Sequence, residues 1–201
     1  MKKRIVVFAS GSGTNTQNVI QYFQHREVAE VVLVLTNKKD AKVLERAKAL
    51  EIKALSFTKS ELLADDGVVK ILEQTKPDLI VLAGFLLMFP AHILKQFPNK
   101  VINIHPALLP KYGGKGMYGH HVHEAVVANE EEETGITVHF VNEQYDEGAI
   151  ILQKKVSLEL ADTPEIVAGK IHELEYRWLP KVIEELLTDV KVDDNHSNEN
   201  G

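Results

Sequence analysis

Apolar and polar positions alternate along the chain in two kinds of block. Short, nearly unbroken apolar runs occupy residues 4–9 (RIVVFA), 31–36 (VVLVLT), 78–83 (DLIVLA) and 101–105 (VINIH). They are rich in β-branched residues and too short for helices, so each reads as a strand buried on both faces. Longer segments with helical spacing separate them. Residues 15–23 form one; residues 40–50 form another, with Ala41, Leu44, Ala47 and Leu50 on one face and Asp40 placed to cap it. Residues 54–57 predict a short strand. Residues 59–75 predict a helix, interrupted at Ser60 or at residues 65–67. Residues 91–97 predict a short helix closed by Pro98. Buried strands alternating with helices specify a mostly parallel sheet with helices on both faces.

The pattern changes after about residue 130. Residues 136–141 and 150–156 predict two strands joined by a polar loop containing Gly148, an arrangement suited to an antiparallel return. Residues 164–187 predict one long helix, with Pro164 near its first turn, Thr163 or Asp162 as cap, and Pro180 expected to kink or split it. Residues 190–201 are polar and acidic and read as a disordered tail, leaving a single α/β domain over residues 1–189.

Composition narrows the chemistry. Lys and Arg number 23 against 29 Asp and Glu, a net charge of −6 that argues against non-specific nucleic-acid binding. There is no Cys, so disulfides, thiolate nucleophiles and thiolate metal sites are excluded. The N-terminal basic cluster precedes an apolar run too short for a signal peptide, broken at Gly11. The longest apolar stretch, residues 79–90, falls short of the roughly 20 residues a bilayer requires. A cytoplasmic protein, free of membrane and nucleic acid, is expected.

Two segments carry candidate chemistry. Ser10-Gly-Ser-Gly-Thr-Asn15 sits between the first strand and the first helix. Its glycines permit a tight turn, and the following helix amides can face an anion, with Gly13, Thr14 and Asn15 as donors. A dinucleotide fingerprint would place a third Gly at position 16, which is Thr, and an acid after the second strand, where Thr36-Asn37 stands. Phosphate is therefore the favoured ligand over a dinucleotide. Farther along, Asn103 and His105 are two apart on one strand and project to the same face at its carboxyl end. An amide donor and an imidazole suit oxyanion stabilisation and proton transfer, and Asp146 is a candidate to raise the imidazole's pKa. His120, His121 and His123 lack a metal-site pattern and read as a solvated helix start. Residues 130–133 read as a solvated acidic turn, and His139 as a buried, hydrogen-bonded strand residue.

Gly-Ser-Gly-Thr-Asn at 11–15, Leu-Ala-Gly-Phe at 82–85, Asn-Ile-His-Pro-Ala-Leu-Leu-Pro at 103–110 and Thr-Gly-Ile-Thr-Val-His-Phe-Val at 134–141 occur in order. With the segment from Asp146 to Gln153, this strongly resembles the glycinamide ribonucleotide transformylases of purine synthesis over residues 4–187. The resemblance implies a single Rossmann-like formyltransferase domain with an antiparallel C-terminal strand element. It implies catalytic roles for Asn103, His105 and Asp146. Gly13, Thr14, Asn15 and Glu175 would bind glycinamide ribonucleotide (GAR). Leu86, Leu87, Met88, Phe89 and Asn103, with the loop of Asn142, Glu143, Gln144, Tyr145 and Asp146, would bind the folate. The co-substrate would be 10-formyltetrahydrofolate, with no metal, in a monomer or homodimer. The chain departs from the family at Leu87, where an Arg is usual, and between residues 57 and 66, which also lack one. The stretch 111–118 (KYGGKGMY) is longer than the family's usual turn. The alternatives are another formyl-folate enzyme, such as formyltetrahydrofolate hydrolase, or a nucleotide-binding Rossmann module. Methionyl-tRNA formyltransferase would need a further domain and a basic surface.

Overall fold

A computed structural model describes residues 1–188. The elements run β1 (Lys3–Phe8), α1 (Thr14–Gln24), β2 (Ala29–Thr36), α2 (Lys42–Ala49), β3 (Ala54–Ser56), α3 (Lys59–Leu63), α4 (Val68–Thr75), β4 (Leu79–Ala83), α5 (Ala91–Gln96), β5 (Val101–His105), α6 (His120–Ala128), β6 (Glu133–Phe140), β7 (Ile150–Ser157) and α7 (Pro164–Thr188). The expected tail, residues 190–201, lies outside the described residues.

Seven strands form one sheet in the order β3-β2-β1-β4-β5-β6-β7. Strands β1 to β5 pair in parallel, and β6 runs antiparallel to both of its neighbours. Chain order reverses between β1 and β4, so the carboxyl ends of these two strands open a crevice where the connecting loops diverge. The central strands are apolar on both faces because both are covered. Ile5 and Val7 belong to one buried cluster with α1, α6 and α7; Val6 and Phe8 belong to another with α3, α4 and α5.

Two local expectations, the α2 cap and a split at Pro180, are corrected by tertiary bonds, and a third, the interruption of 59–75, is met. Asp40 does not cap α2; the cap position is Ala41, without a side-chain cap, and the Val43 N–H donates to the Gly11 carbonyl at 3.2 Å. A contact from the glycine loop thus replaces the missing cap. The segment 59–75 is two helices, broken at 64–67 as one expected alternative allows, and α3 opens with a Thr58–Glu61 capping box. Pro180 does not split α7. The ring deprives the Tyr176 carbonyl of its helical partner, but Asn18 Nδ2 donates to that carbonyl at 2.8 Å. Pro180 itself is buried beside Leu179, Val182 and Ile183, so packing holds the helix through it. Its entry carries the expected Thr163 cap, with the Ile166 N–H donating to Thr163 Oγ1 at 3.4 Å.

Candidate active site

The crevice is a cleft of about 640 Å³, within the range of small-molecule sites. Its floor is stitched by Ser10, which follows β1. Ser10 Oγ donates to Asn37 Oδ1 at 2.6 Å and accepts from the Leu86 N–H at 2.9 Å, while its own N–H donates to the Gly84 carbonyl at 3.0 Å. One residue therefore ties together the ends of β1, β2 and β4.

At one end of the cleft, α1 begins at Gly13, which is left-handed at φ +73°. A Cβ there would meet Val43 Cγ2 at 2.4 Å, so both conformation and space require glycine. No side chain caps this helix and no acid sits in its first turn, so its amides face the cleft uncompensated. Arg46 Nε braces the loop by donating to the Ser12 carbonyl at 2.8 Å. Beside it, Asn15 Nδ2 donates to Glu175 Oε2 of α7 at 2.8 Å. Glu175 is 6% exposed, and burial pushes its pKa up to about 7 despite the opposing bond from Asn15. Asn15 Oδ1 is buried with no partner.

The middle of the cleft holds the other polar group. Asn103 and His105 share one face of β5, as their spacing requires, and the loop after β6 brings Asp146 to them. Asp146 Oδ2 lies 3.6 Å from His105 Nδ1, and Oδ1 accepts from Asn103 Nδ2 at 3.4 Å. His105 Nε2 lies 2.7 Å from the Tyr112 carbonyl. A carbonyl only accepts, so the neutral imidazole carries its proton on Nε2 and leaves Nδ1 toward Asp146. Asp146 has φ +57°, uncommon for a residue with a side chain. It also accepts the Gly114 N–H at 2.9 Å. Burial would raise the Asp146 pKa, but His139, the charge of His105 and the Gly114 amide together hold it below the usual carboxylate value.

The expected rise in the His105 pKa is not found. Burial lowers it below 6.5, outweighing the upward pull of Asp146 and of the Tyr112 carbonyl. In this cleft His105 is a neutral imidazole near pH 7.

Sequence reasoning missed His139 as part of this group. It pairs with Asn103 across β5 and β6, is 2% exposed, and approaches Asn103 Nδ2 at 3.1 Å and Asp146 Oδ1 at 3.6 Å. The expected antiparallel return joins β6 to β7, whereas it is the antiparallel pairing of β6 with β5 that sets His139 opposite Asn103. His123 was also misjudged. His120 and His121 are exposed, but His123 is 4% exposed, lines the cleft, and has an unpartnered Nδ1. Burial, then the nearby His172, push its pKa down to about 4. Among the described residues no group of three His, Asp or Glu could hold a metal ion. The acidic turn differs too: Glu131 takes Lys111 and Tyr112 rather than only water.

At the far end, Leu86, Leu87, Met88 and Phe89 line the cleft, with Asn142, Gln144 and Tyr145 facing it from the loop after β6; Glu143 is exposed and outside the lining. Beneath them Phe8 stacks edge-on with Phe85 and Phe89 at centroid distances of 5.3 and 5.2 Å. Two lysines, Lys38 and Lys115, also line the cleft. Among the described residues no helix is long and apolar enough to cross a membrane.

A formyl transferase family model matches residues 3–183. The phosphoribosylglycinamide formyltransferase of Haemophilus influenzae is 40% identical over 186 residues, covering 90% of this chain and 85% of that protein. That of Bacillus subtilis is 34% identical over 190 residues, covering 92% and 95%. The chloroplastic Arabidopsis thaliana enzyme is 38% identical over 188 residues, and the chain spans 64% of its length. Among solved structures, the Bacillus halodurans phosphoribosylglycinamide formyltransferase superposes with a TM-score of 0.84 at 35% identity, covering 94% of this chain and 97% of that one.

Proposed function

The chain belongs to the formyl transferase family, among the phosphoribosylglycinamide formyltransferases, and on that premise we propose that it moves the formyl group of 10-formyltetrahydrofolate to the amine of GAR. The observation that supports this most is the meeting of Asn103, His105 and Asp146 in one cleft, between an uncapped helix N-terminus and an apolar pocket.

The amides of Gly13, Thr14 and Asn15 hold the GAR phosphate, where the helix end supplies local positive charge to an acidic protein. Glu175 and Asn15 take the ribose or glycinamide portion; the orphaned Asn15 Oδ1 supports a ligand donor there. The folate ring occupies the apolar end, against Leu86 to Phe89 and the loop of Asn142 to Asp146. Lys38 and Lys115 offer cationic charge in a cleft without the family's usual arginines.

In the reaction the GAR amine attacks the formyl carbon, and a new C–N bond forms as negative charge develops on the formyl oxygen. Asn103 donates to that oxygen. Its 3.4 Å bond to Asp146 is the looser of its two contacts and the one a substrate displaces. A donor of this kind is worth about 3 kcal/mol of barrier. The attacking nitrogen then loses a proton to the Asp146–His105 pair, where a carboxylate and the Nδ1 lone pair both stand ready. The pair returns that proton to the folate nitrogen as its bond to the formyl carbon breaks. The products are formylated GAR and the deformylated folate. A neutral His105 suits this proton-carrying role; as oxyanion character grows, the same histidine becomes easier to protonate.

The test follows the absorbance change of folate deformylation in purified protein, with and without GAR. GAR-dependent turnover supports the proposal. No turnover refutes it, and turnover without GAR would assign the chain to formyl-folate hydrolysis instead.

A further inference from the structure

The loop of residues 111–118 touches both members of the proton-carrying pair. The Tyr112 carbonyl accepts from His105 Nε2 at 2.7 Å, and two residues later the Gly114 N–H donates to Asp146 Oδ2 at 2.9 Å. To aim its carbonyl at the imidazole, Tyr112 adopts φ +56°, a conformation its side chain disfavours. Such a backbone persists only where its surroundings hold it.

The surroundings are specific. Tyr112 OH donates to Glu131 Oε1 at 2.8 Å, and the preceding residue, Lys111, places its Nζ 2.9 and 3.0 Å from the two oxygens of the same carboxylate. Two consecutive side chains thus fasten the loop to the turn between α6 and β6. The Tyr112 hydroxyl keeps its proton throughout the working range, since burial and the Glu131 carboxylate push its pKa up to about 12. On the other side, Thr137 of β6 fastens the stretch between β5 and the loop. Its Oγ1 donates to the Ala107 carbonyl at 2.6 Å and accepts the Leu109 N–H at 3.0 Å.

We propose that Tyr112 and Glu131 are positioning residues: their hydroxyl–carboxylate clamp holds the Tyr112 backbone in its left-handed conformation, so that its carbonyl fixes the tautomer and orientation of His105. The inference rests on the reading of His105 given above, and its action is indirect, since neither side chain touches the reacting atoms. A group that holds the catalytic imidazole's second nitrogen decides which nitrogen is free for chemistry. The other titratable groups facing His105 are Asp146 from the loop after β6, His139 from β6 and His123 from α6. Of these, only Asp146 is itself bound by the clamped loop, through the Gly114 N–H.

The experiment compares full-length Tyr112→Phe, Glu131→Ala, Tyr112→Ala and Tyr112→Gly with the parent protein. Two readouts are taken: kcat against pH with GAR affinity measured separately, and the His105 ring signals titrated by nuclear magnetic resonance. A carbonyl acceptor favours imidazolium, so losing it moves the His105 titration to lower pH in Tyr112→Phe and Glu131→Ala. In both, kcat falls about tenfold, within the reach of misplaced acid–base groups, while GAR affinity stays within about twofold. Tyr112→Gly and Tyr112→Ala lose the same hydroxyl, but only glycine keeps a positive φ without strain, so the glycine variant retains the higher kcat. An unchanged His105 titration in both Tyr112→Phe and Glu131→Ala overturns the proposal, as does a Tyr112→Ala variant faster than Tyr112→Gly. The titration is read without substrate, so it tests the clamp even if GAR proves not to be the acceptor.

Discussion

Glu175 gives the sharpest separation of binding from stability. The carboxyl is 6% exposed and has the Asn15 amide as its hydrogen-bond donor. Burial carries its pKa from 4.5 to about 7. A carboxyl with a raised folded pKa binds its proton more tightly in the native state than in the unfolded chain. Stability is therefore highest below the unfolded value and falls as pH rises through the folded one. A shift of roughly 2.5 units at 1.36 kcal/mol per unit makes the full penalty about 3 kcal/mol, complete by about pH 8.5 and below about 1 kcal/mol at pH 5. Glu175→Gln keeps an acceptor for Asn15 and removes the charge. Urea unfolding of the ligand-free protein at about pH 8.5 should find the variant more stable by about 3 kcal/mol, with most of that advantage gone at about pH 5. An advantage equal at both pH values, or a parent protein more stable at the higher pH, refutes the reasoning. The same variant should bind GAR more weakly, because a group kept at a cost to the fold is kept for its ligand.

The other predictions concern the cleft. His105→Ala and Asp146→Asn should each lower kcat by about 10²- to 10⁴-fold with GAR binding by calorimetry nearly unchanged, since both act on proton transfer; comparable losses in binding alone would make the pair structural. Gly13→Ala drives a Cβ to 2.4 Å from Val43 Cγ2 at a φ of +73°, so it should weaken GAR binding about tenfold or more and lower the melting temperature; wild-type affinity would remove the glycine loop from the phosphate site. The His105 ring should titrate below 6.5 in the ligand-free protein, because burial outweighs Asp146; a nuclear magnetic resonance titration above 6.5 would reverse that order.

The sheet was legible because its central strands are covered on both faces, which leaves continuous apolar runs that helical spacing cannot imitate. The pairing of Asn103 with His105 was legible for a similar reason, since strand parity alone puts them on one face. Asp146 was different. No period leads to it, and its place depends on a positive-φ loop whose conformation has no simple signature, so only the family resemblance marked it strongly. Long-range compensation was invisible. The bonds from Gly11 to Val43 and from Asn18 to the carbonyl freed by Pro180 join residues far apart in the chain, and local propensity therefore misjudged the α2 cap and the continuity of α7. The His105 pKa went the other way because the carboxylate was counted and the burial was not.

The most direct test of the account follows a carbon-labelled formyl group through a single turnover of 10-formyltetrahydrofolate and GAR, in the parent protein and in Asp146→Asn. The account predicts that label leaves the folate and appears one-for-one in formylated GAR. It also predicts that the variant slows this transfer by at least about a hundredfold while still binding GAR. Label released as free formate, or an Asp146→Asn variant that transfers at the parent rate, would contradict it.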